Sequence, residues 1–216
     1  MREQGLVVAA VWMAAACFGA GDQGQQKTGP DVVVYVDNGN LVPPNVMMAA
    51  KATASRMFAR IGLRVQWTTH PPAPAPDPGT TRCTSAQPEV IVIRIAPKRS
   101  ASAIGEALAS ALPFARTGTR ITIFHGELQE AVRQRPGLTP ALLAHVLVHE
   151  ITHVLQRVTG HSSEGVMRAH WTTSDYISMR DKPLEFTAVD VTLIRKGLSQ
   201  SRAEGCTSAV ATVDLP

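Results

Sequence analysis

The sequence predicts an α/β (α+β) domain built on a mixed sheet, and three observations point there. Four short runs dense in β-branched residues alternate with longer stretches whose apolar residues recur every three or four positions. The chain has 216 residues, 44% hydrophobic and 18% charged, which suits one domain with an ordinary core and short tails. A long apolar stretch beginning near residue 140 carries the start signals of a buried helix.

The first segment differs in kind from the rest. Arg2 leads into an apolar run over residues 6–18, followed by small residues. That tripartite layout predicts a signal peptide over residues 1–21, too short for a membrane span, and a secreted or periplasmic protein. Cys17 follows three alanines, a faint lipoprotein-type pattern, so a lipid anchor at Cys17 is the alternative end of the leader. Residues 22–30, polar and glycine-rich, read as a linker. The domain itself is expected over residues 31–200, with residues 201–216 as a tail.

Within the domain, "DVVVYVDN" reads as a buried first strand. Pro43 and Pro44 open a helix whose apolar positions are Met47, Ala50, Ala54, Met57 and Ile61, with Gly62 as its stop. "LRVQW" is a second strand. The proline-rich run that follows, over residues 70–88, is an extended surface loop. "EVIVIRIAP" makes a third strand, and residues 100–112 read as a short helix or irregular loop. "TRITIF" is the fourth strand, leading into a short helical piece through Arg135. Thr139 before Pro140 is the expected cap of the long buried helix, which carries Leu142, Val146, Ile151 and Val154 on one face. A final helix is expected to start at a Thr187 cap, bury Val191 and Ile194, and stop at Gly197.

The charge balance limits the partners. A net charge of +4 comes from scattered Lys and Arg with no dense run and no aromatic interleaving, which argues against nucleic acid. Export leaves Cys83 and Cys206, which either form one bridge between the mid-chain loop and the tail or stay apart. Neither has a CxxC partner, so a thiolate metal site is not indicated.

Residues 145–167, "HVLVHEITHVLQRVTGHSSEGVM", hold four of the seven histidines. His149 and His153 frame an HExxH. Four helical residues turn about 40° and rise about 6 Å, so both imidazoles leave one face and can share one ion. Zn2+ suits such ligands and keeps an open position for water, which Glu150 stands close enough to hold and deprotonate. His145 lies on the same face, but three ligands along one straight helix would span about 12 Å, far more than one ion allows. It reads as a packed or supporting histidine. Candidates for the third ligand are His161, Glu164, His170, Asp175 and Glu185.

At these residues the chain resembles the metzincin zinc peptidases, with the run after His161 closest in feel to the matrixins. Their HExxHxxGxxH pattern is matched in its first half by His149, Glu150 and His153. "HSSEGVM" is similar to the run from the third histidine to the Met-turn, which puts His161 in the ligand position and Met167 in the turn. Asp190 and Ile194 fall at matching places of the closing helix. The spacing departs: the family's glycine and third histidine would fall at Gln156 and Thr159, so His161 comes two residues late. It reaches the ion only if the helix ends near residues 155–158. Glu185 would be a gluzincin-like ligand, and Asp175 has a loose likeness to the aspzincins.

The resemblance implies a zincin-like fold: a mixed, mostly parallel sheet, a long active-site helix and a C-terminal helix. It also implies that the strand at residues 119–124 borders the cleft, where an extended peptide can pair with it. The expected activity is that of an exported, monomeric, zinc-dependent metalloendopeptidase acting on a peptide or protein substrate through a zinc-bound water activated by Glu150. A zinc- or protein-binding module without catalysis, and a zinc hydrolase of a non-peptide amide, are the alternatives.

Overall fold

A computed structural model describes residues 29–72, 87–99, 107–115 and 118–210, with side chains described through residue 204. The expected signal peptide, Cys17, most of the linker and Cys83 lie outside the described residues, as does the Cys206 side chain.

The elements follow in the order β1 (Val32–Asp37), α1 (Pro44–Arg60), β2 (Val65–Thr68), β3 (Glu89–Ala96), β4 (Ala109–Ala111), β5 (Thr119–Phe124), α2 (His125–Ala131), a 3-10 turn (Pro136–Leu138), α3 (Thr139–Gln156), α4 (Thr173–Ser178) and α5 (Ala188–Val210). The sheet order is β2-β1-β3-β5-β4. Four strands are parallel, with Val34 opposite Ile91 and Ile93 opposite Ile121, and β4 alone runs antiparallel, against β5. The fold is therefore the mixed, mostly parallel α/β arrangement that the sequence predicts, with a long site helix and a C-terminal helix.

Period-two alternation shows which face of the sheet is covered. Ile91, Ile93 and Ile95 of β3 are buried while Val90 and Arg94 are exposed. α1 and α3 pack against each other, α1 touching β2 and α3 touching β4 and β5. Every residue of α3 from Ala141 to Gln156 is buried. Side chains such as Leu142, Leu147 and Ile151 each stabilise the fold by about 1.5–3 kcal/mol on leaving water. The helix is apolar enough for a membrane span, but 83% of that window is buried inside the protein, as befits a core helix.

Several expectations hold and several need correction. Pro44 opens α1, and Gly62, at φ +78°, follows its end as a stop should. Thr187 caps α5: its Oγ1 accepts from Asp190 N while Asp190 Oδ2 accepts from Thr187 N. Thr139, in contrast, is the first residue of α3 rather than its cap. Leu138 holds the cap position without a side-chain hydrogen bond, and Thr139 Oγ1 donates to Pro136 O.

Gly197 does not stop the last helix, which runs on to Val210. A Cβ at Gly197 would lie 1.9 Å from Leu155 O, so glycine is there because α5 presses its backbone onto the last turn of α3. Residues 109–111, expected in a helix or loop, form β4. This short strand is the sheet edge on that side, and β5, expected at the cleft border, lies inside the sheet.

Candidate metal centre

α3 presents the largely buried His149, Glu150 and His153 to a cleft, and the chain that follows fixes how the two imidazoles point. His149 Nδ1 donates to Val166 O at 2.8 Å, and His153 Nδ1 to Val158 O at 3.1 Å. A carbonyl can only accept, so each Nδ1 carries the proton and each Nε2 presents a lone pair. Those two Nε2 atoms lie 3.1 Å apart. Two imidazole nitrogens bound at about 2.0–2.1 Å around a tetrahedral ion stand roughly 3.3 Å apart, so the pair has the spacing a cation requires.

The helix ends where the third histidine needs it to end. Gln156 is its last residue, and Arg157 takes a left-handed conformation at φ 57°, ψ 43°. Arg157 N donates to Val154 O and Val158 N to His153 O, the paired bonds of a Schellman stop. The chain thus leaves the helix axis before Gly160 and turns back toward His149 and His153. His161 comes to rest with its ring centroid 5.2 Å from that of His149 and 4.9 Å from that of His153. One potential ligand atom from each of the three lies within 4.8 Å of the others. Among the described residues this is the group with metal-binding geometry.

A frame of hydrogen bonds holds the returning segment. Ser162 N donates to Met167 O at 2.9 Å, and Ser162 Oγ to Asp190 Oδ1 at 2.6 Å. Asp190, on the first turn of α5, also receives Thr187 N and Thr187 Oγ1 at 2.8 Å. Gln156 Nε2 donates to the Asp190 backbone carbonyl at 3.3 Å and lies 3.5 Å from Asp190 Oδ1, so this buried residue joins the end of α3, the residue after His161 and the start of α5.

The turn Gly165–Arg168 sets the Val166 carbonyl on His149, while Val166 N donates to Glu185 O. Gly165 has φ +72°, and a Cβ there would meet Glu185 O at 2.4 Å, so that position needs glycine on both counts. Met167 sits in this turn, buried in the core.

The remaining candidates take other places. His145 is fully buried with both ring nitrogens used: Nδ1 donates to Ala141 O, and Nε2 accepts from Leu184 N at 3.0 Å. It ties the 184–185 segment to α3 and has no lone pair left for an ion. Asp175 caps α4 in a reciprocal box with Thr172 and pairs with Arg168. Glu185 is exposed and contributes its backbone carbonyl. His170 is exposed, lines the cleft and helps lower the His161 pKa. None of these three belongs to the His149, His153 and His161 cluster.

The electrostatics favour neutral imidazoles. Burial lowers His149 to about 4, partly opposed by its bond to Val166 O, and burial lowers His153 and His161 as well. Neutral imidazole is the form that binds a metal. Burial pushes Glu150 up to about 8, so in the metal-free protein it keeps a proton at neutral pH, and a nearby dication would favour its ionised form.

These groups open on a cleft of about 740 Å³ lined by β4, His149, Glu150, His153, His161, Trp171 and Tyr176. Sequence reasoning missed Trp171, whose ring meets His149 edge-on at 5.5 Å. It also missed β4 and the Val166 carbonyl. Only the carbonyl had a sequence signal, since Gly165 marks a turn just before it.

No protein-family model and no curated protein matches the chain. Among solved structures the chain is similar to an archaemetzincin from Methanopyrus kandleri, at 14% identity and a TM-score of 0.48, over 79% of this chain and 97% of that one.

Proposed function

We propose that this chain is an exported, zinc-dependent metalloendopeptidase in which His149, His153 and His161 hold the ion and Glu150 is the general base. The observation that carries the reading is the convergence of the His149 and His153 Nε2 lone pairs at 3.1 Å with both Nδ1 protons committed elsewhere. Two lone pairs that close repel each other unless a cation lies between them. Three imidazoles and an open side suit Zn2+, which when bound acts as a Lewis acid toward a carbonyl and brings the pKa of its water toward about 7.

The rest of the chemistry belongs to the chain. Glu150 follows His149 by one residue, roughly 100° around the helix, which sets its carboxylate beside the ligands rather than among them. It lines the same cleft. There it takes a proton from the attacking water as oxygen bonds to the peptide carbon, then delivers it to the departing amine as the C–N bond breaks. His145 and Val166 position the helix and the His149 ring. Trp171 packs edge-on against the His149 ring and lines one side of the cleft. The leader-like residues 1–21 support export, and β4 is the last strand of the sheet among the described residues, the kind of edge with which an extended peptide pairs.

The test is metal content and turnover measured together. The full chain should carry one zinc by mass spectrometry and cleave an unstructured protein such as casein. Glu150→Ala should keep the zinc and lose cleavage by at least about a hundredfold. Bound zinc without cleavage across protein substrates would support a binding module instead, and cleavage confined to non-peptide amides would change the substrate class.

A further inference from the structure

Tyr176 lines the cleft that holds the three histidines. The same residue, on α4, also lines a recess of about 230 Å³ formed by residues 130–135 at the end of α2 together with Leu138 and Thr173. A further hollow of about 290 Å³ lies against Arg135, Gly137, Leu138, Ile177 and Arg180. Arg135 and Leu138 are common to both, so the three spaces form a series linked by shared lining residues, from the cleft by way of Tyr176 to Arg135. α4 holds its shape through the Thr172–Asp175 capping box and the Arg168–Asp175 ion pair, which keeps Tyr176 in place between the two spaces.

Charge along this series is uneven. Arg133 pairs with Glu130 at 3.4 Å, and Arg180 pairs with Asp181 at 3.2 Å. Arg135 is exposed and has no ion pair among the described residues, although it stands where the two hollows meet. The second hollow is bordered by Leu138 and by the exposed Ile177. A segment that fits would bring an acidic group to Arg135 and an apolar group to Ile177.

Resting on the peptidase reading above, we propose that the Arg135 recess is a remote subsite that binds a carboxylate of the peptide substrate. The distance limits which carboxylate. Along α3 from His149 back to Leu138 is roughly 16 Å at about 1.5 Å per residue. An extended peptide covers that in about five residues at about 3.3 Å each. The group is therefore a side chain, or the chain's own terminus, about five residues from the bond being cut. Arg suits the task, since its planar fork can hold a carboxylate through two hydrogen bonds.

Binding separates this proposal from the catalytic one because it needs no turnover. Labelled twelve-residue peptides, each with one Glu moved along an otherwise neutral sequence and a matching Gln control, are titrated by fluorescence anisotropy. The protein is the zinc-loaded full chain carrying Glu150→Ala. A parallel set ends in a carboxylate or an amide.

One Glu register, or the free terminus, should bind roughly three- to fivefold tighter than its control, the range of an accessible ion pair. The side-chain and terminal sets show which source the recess reads. Arg135→Ala should remove the difference, and Arg135→Glu should reverse it, so that the Gln control or the amide terminus binds tighter. Equal binding of Glu and Gln at every register, with acid and amide termini also equal, would overturn the subsite. So would a preference that survives Arg135→Glu. A wild-type protein that binds these peptides but cleaves none would count against the peptidase reading and not against Arg135.

Discussion

Ser162 Oγ donates to the buried carboxylate of Asp190 at 2.6 Å, tying the residue after His161 to the first turn of α5. His161 itself is exposed and has no side-chain hydrogen bond among the described residues, so its place beside His149 and His153 depends on this bond and on Ser162 N to Met167 O. Ser162→Ala should cost about 1 kcal/mol of stability. It should weaken zinc binding by about tenfold, the lower end for partners that orient a ligand. A chelator competition assay beside a urea melt reads both, and unchanged zinc affinity would show that His161 is placed by something else.

Gly197 packs against the backbone of Leu155 so closely that a single substitution is decisive. A Cβ at position 197 would lie 1.9 Å from Leu155 O and 3.1 Å from Gln156 C. Neither neighbour is a flexible side-chain tip, so α5 must move away from the end of α3. Gly197→Ala should therefore destabilise by about 1–3 kcal/mol despite alanine's better helix propensity. The denaturation midpoint decides it, and a more stable Gly197→Ala would mean that the helices are farther apart than described.

Arg157 adopts the left-handed conformation that ends α3, at φ 57° and ψ 43°. It also pairs with Glu204 at 2.8 Å. Comparing Arg157→Gly with Arg157→Ala removes the ion pair from both and leaves the backbone term. The glycine variant should be the more stable by about 1 kcal/mol. Equal stability would place the helix stop elsewhere, and with it the turn that brings His161 back.

Glu150 and His149 should respond to pH in opposite directions in the metal-free protein. Glu150 is raised from 4.5 to about 8 by burial, so between those values the native state holds a proton that the unfolded state has released. Its contribution is present below pH 4.5 and is lost as pH rises through about 8. His149 is lowered from 6.5 to about 4, so its contribution is present above pH 6.5 and is lost as pH falls toward 4. In EDTA, Glu150→Gln should gain stability over wild type progressively from pH 5 to pH 8 in thermal melts. A difference that stays constant with pH would mean the carboxyl is hydrated and not buried.

Much of this site was legible from the residues, and the illegible parts share a cause. HEITH on a long apolar helix located His149, Glu150 and His153 because helical spacing is local. Even the helix end could be bracketed, since His161 is useful only if the chain turns before Gly160. Residues outside that logic take their roles from distant partners. Ala109, Ser110 and Ala111 have no strand signal of their own and become a strand by pairing with β5. Gly197 resembles a helix stop until α3 is seen against it. Thr139 looks like a cap, yet the 3-10 turn before it moves that position to Leu138.

The central claim is that three histidines from one helix and its returning loop share one zinc. X-ray absorption at the zinc edge of the full chain tests it most directly, by counting ligands and measuring their distances. The account predicts one zinc per chain with three imidazole nitrogens at about 2.0–2.1 Å and no sulfur, and two imidazoles after His161→Ala. A site containing sulfur, or an imidazole count unchanged by His161→Ala, would contradict it.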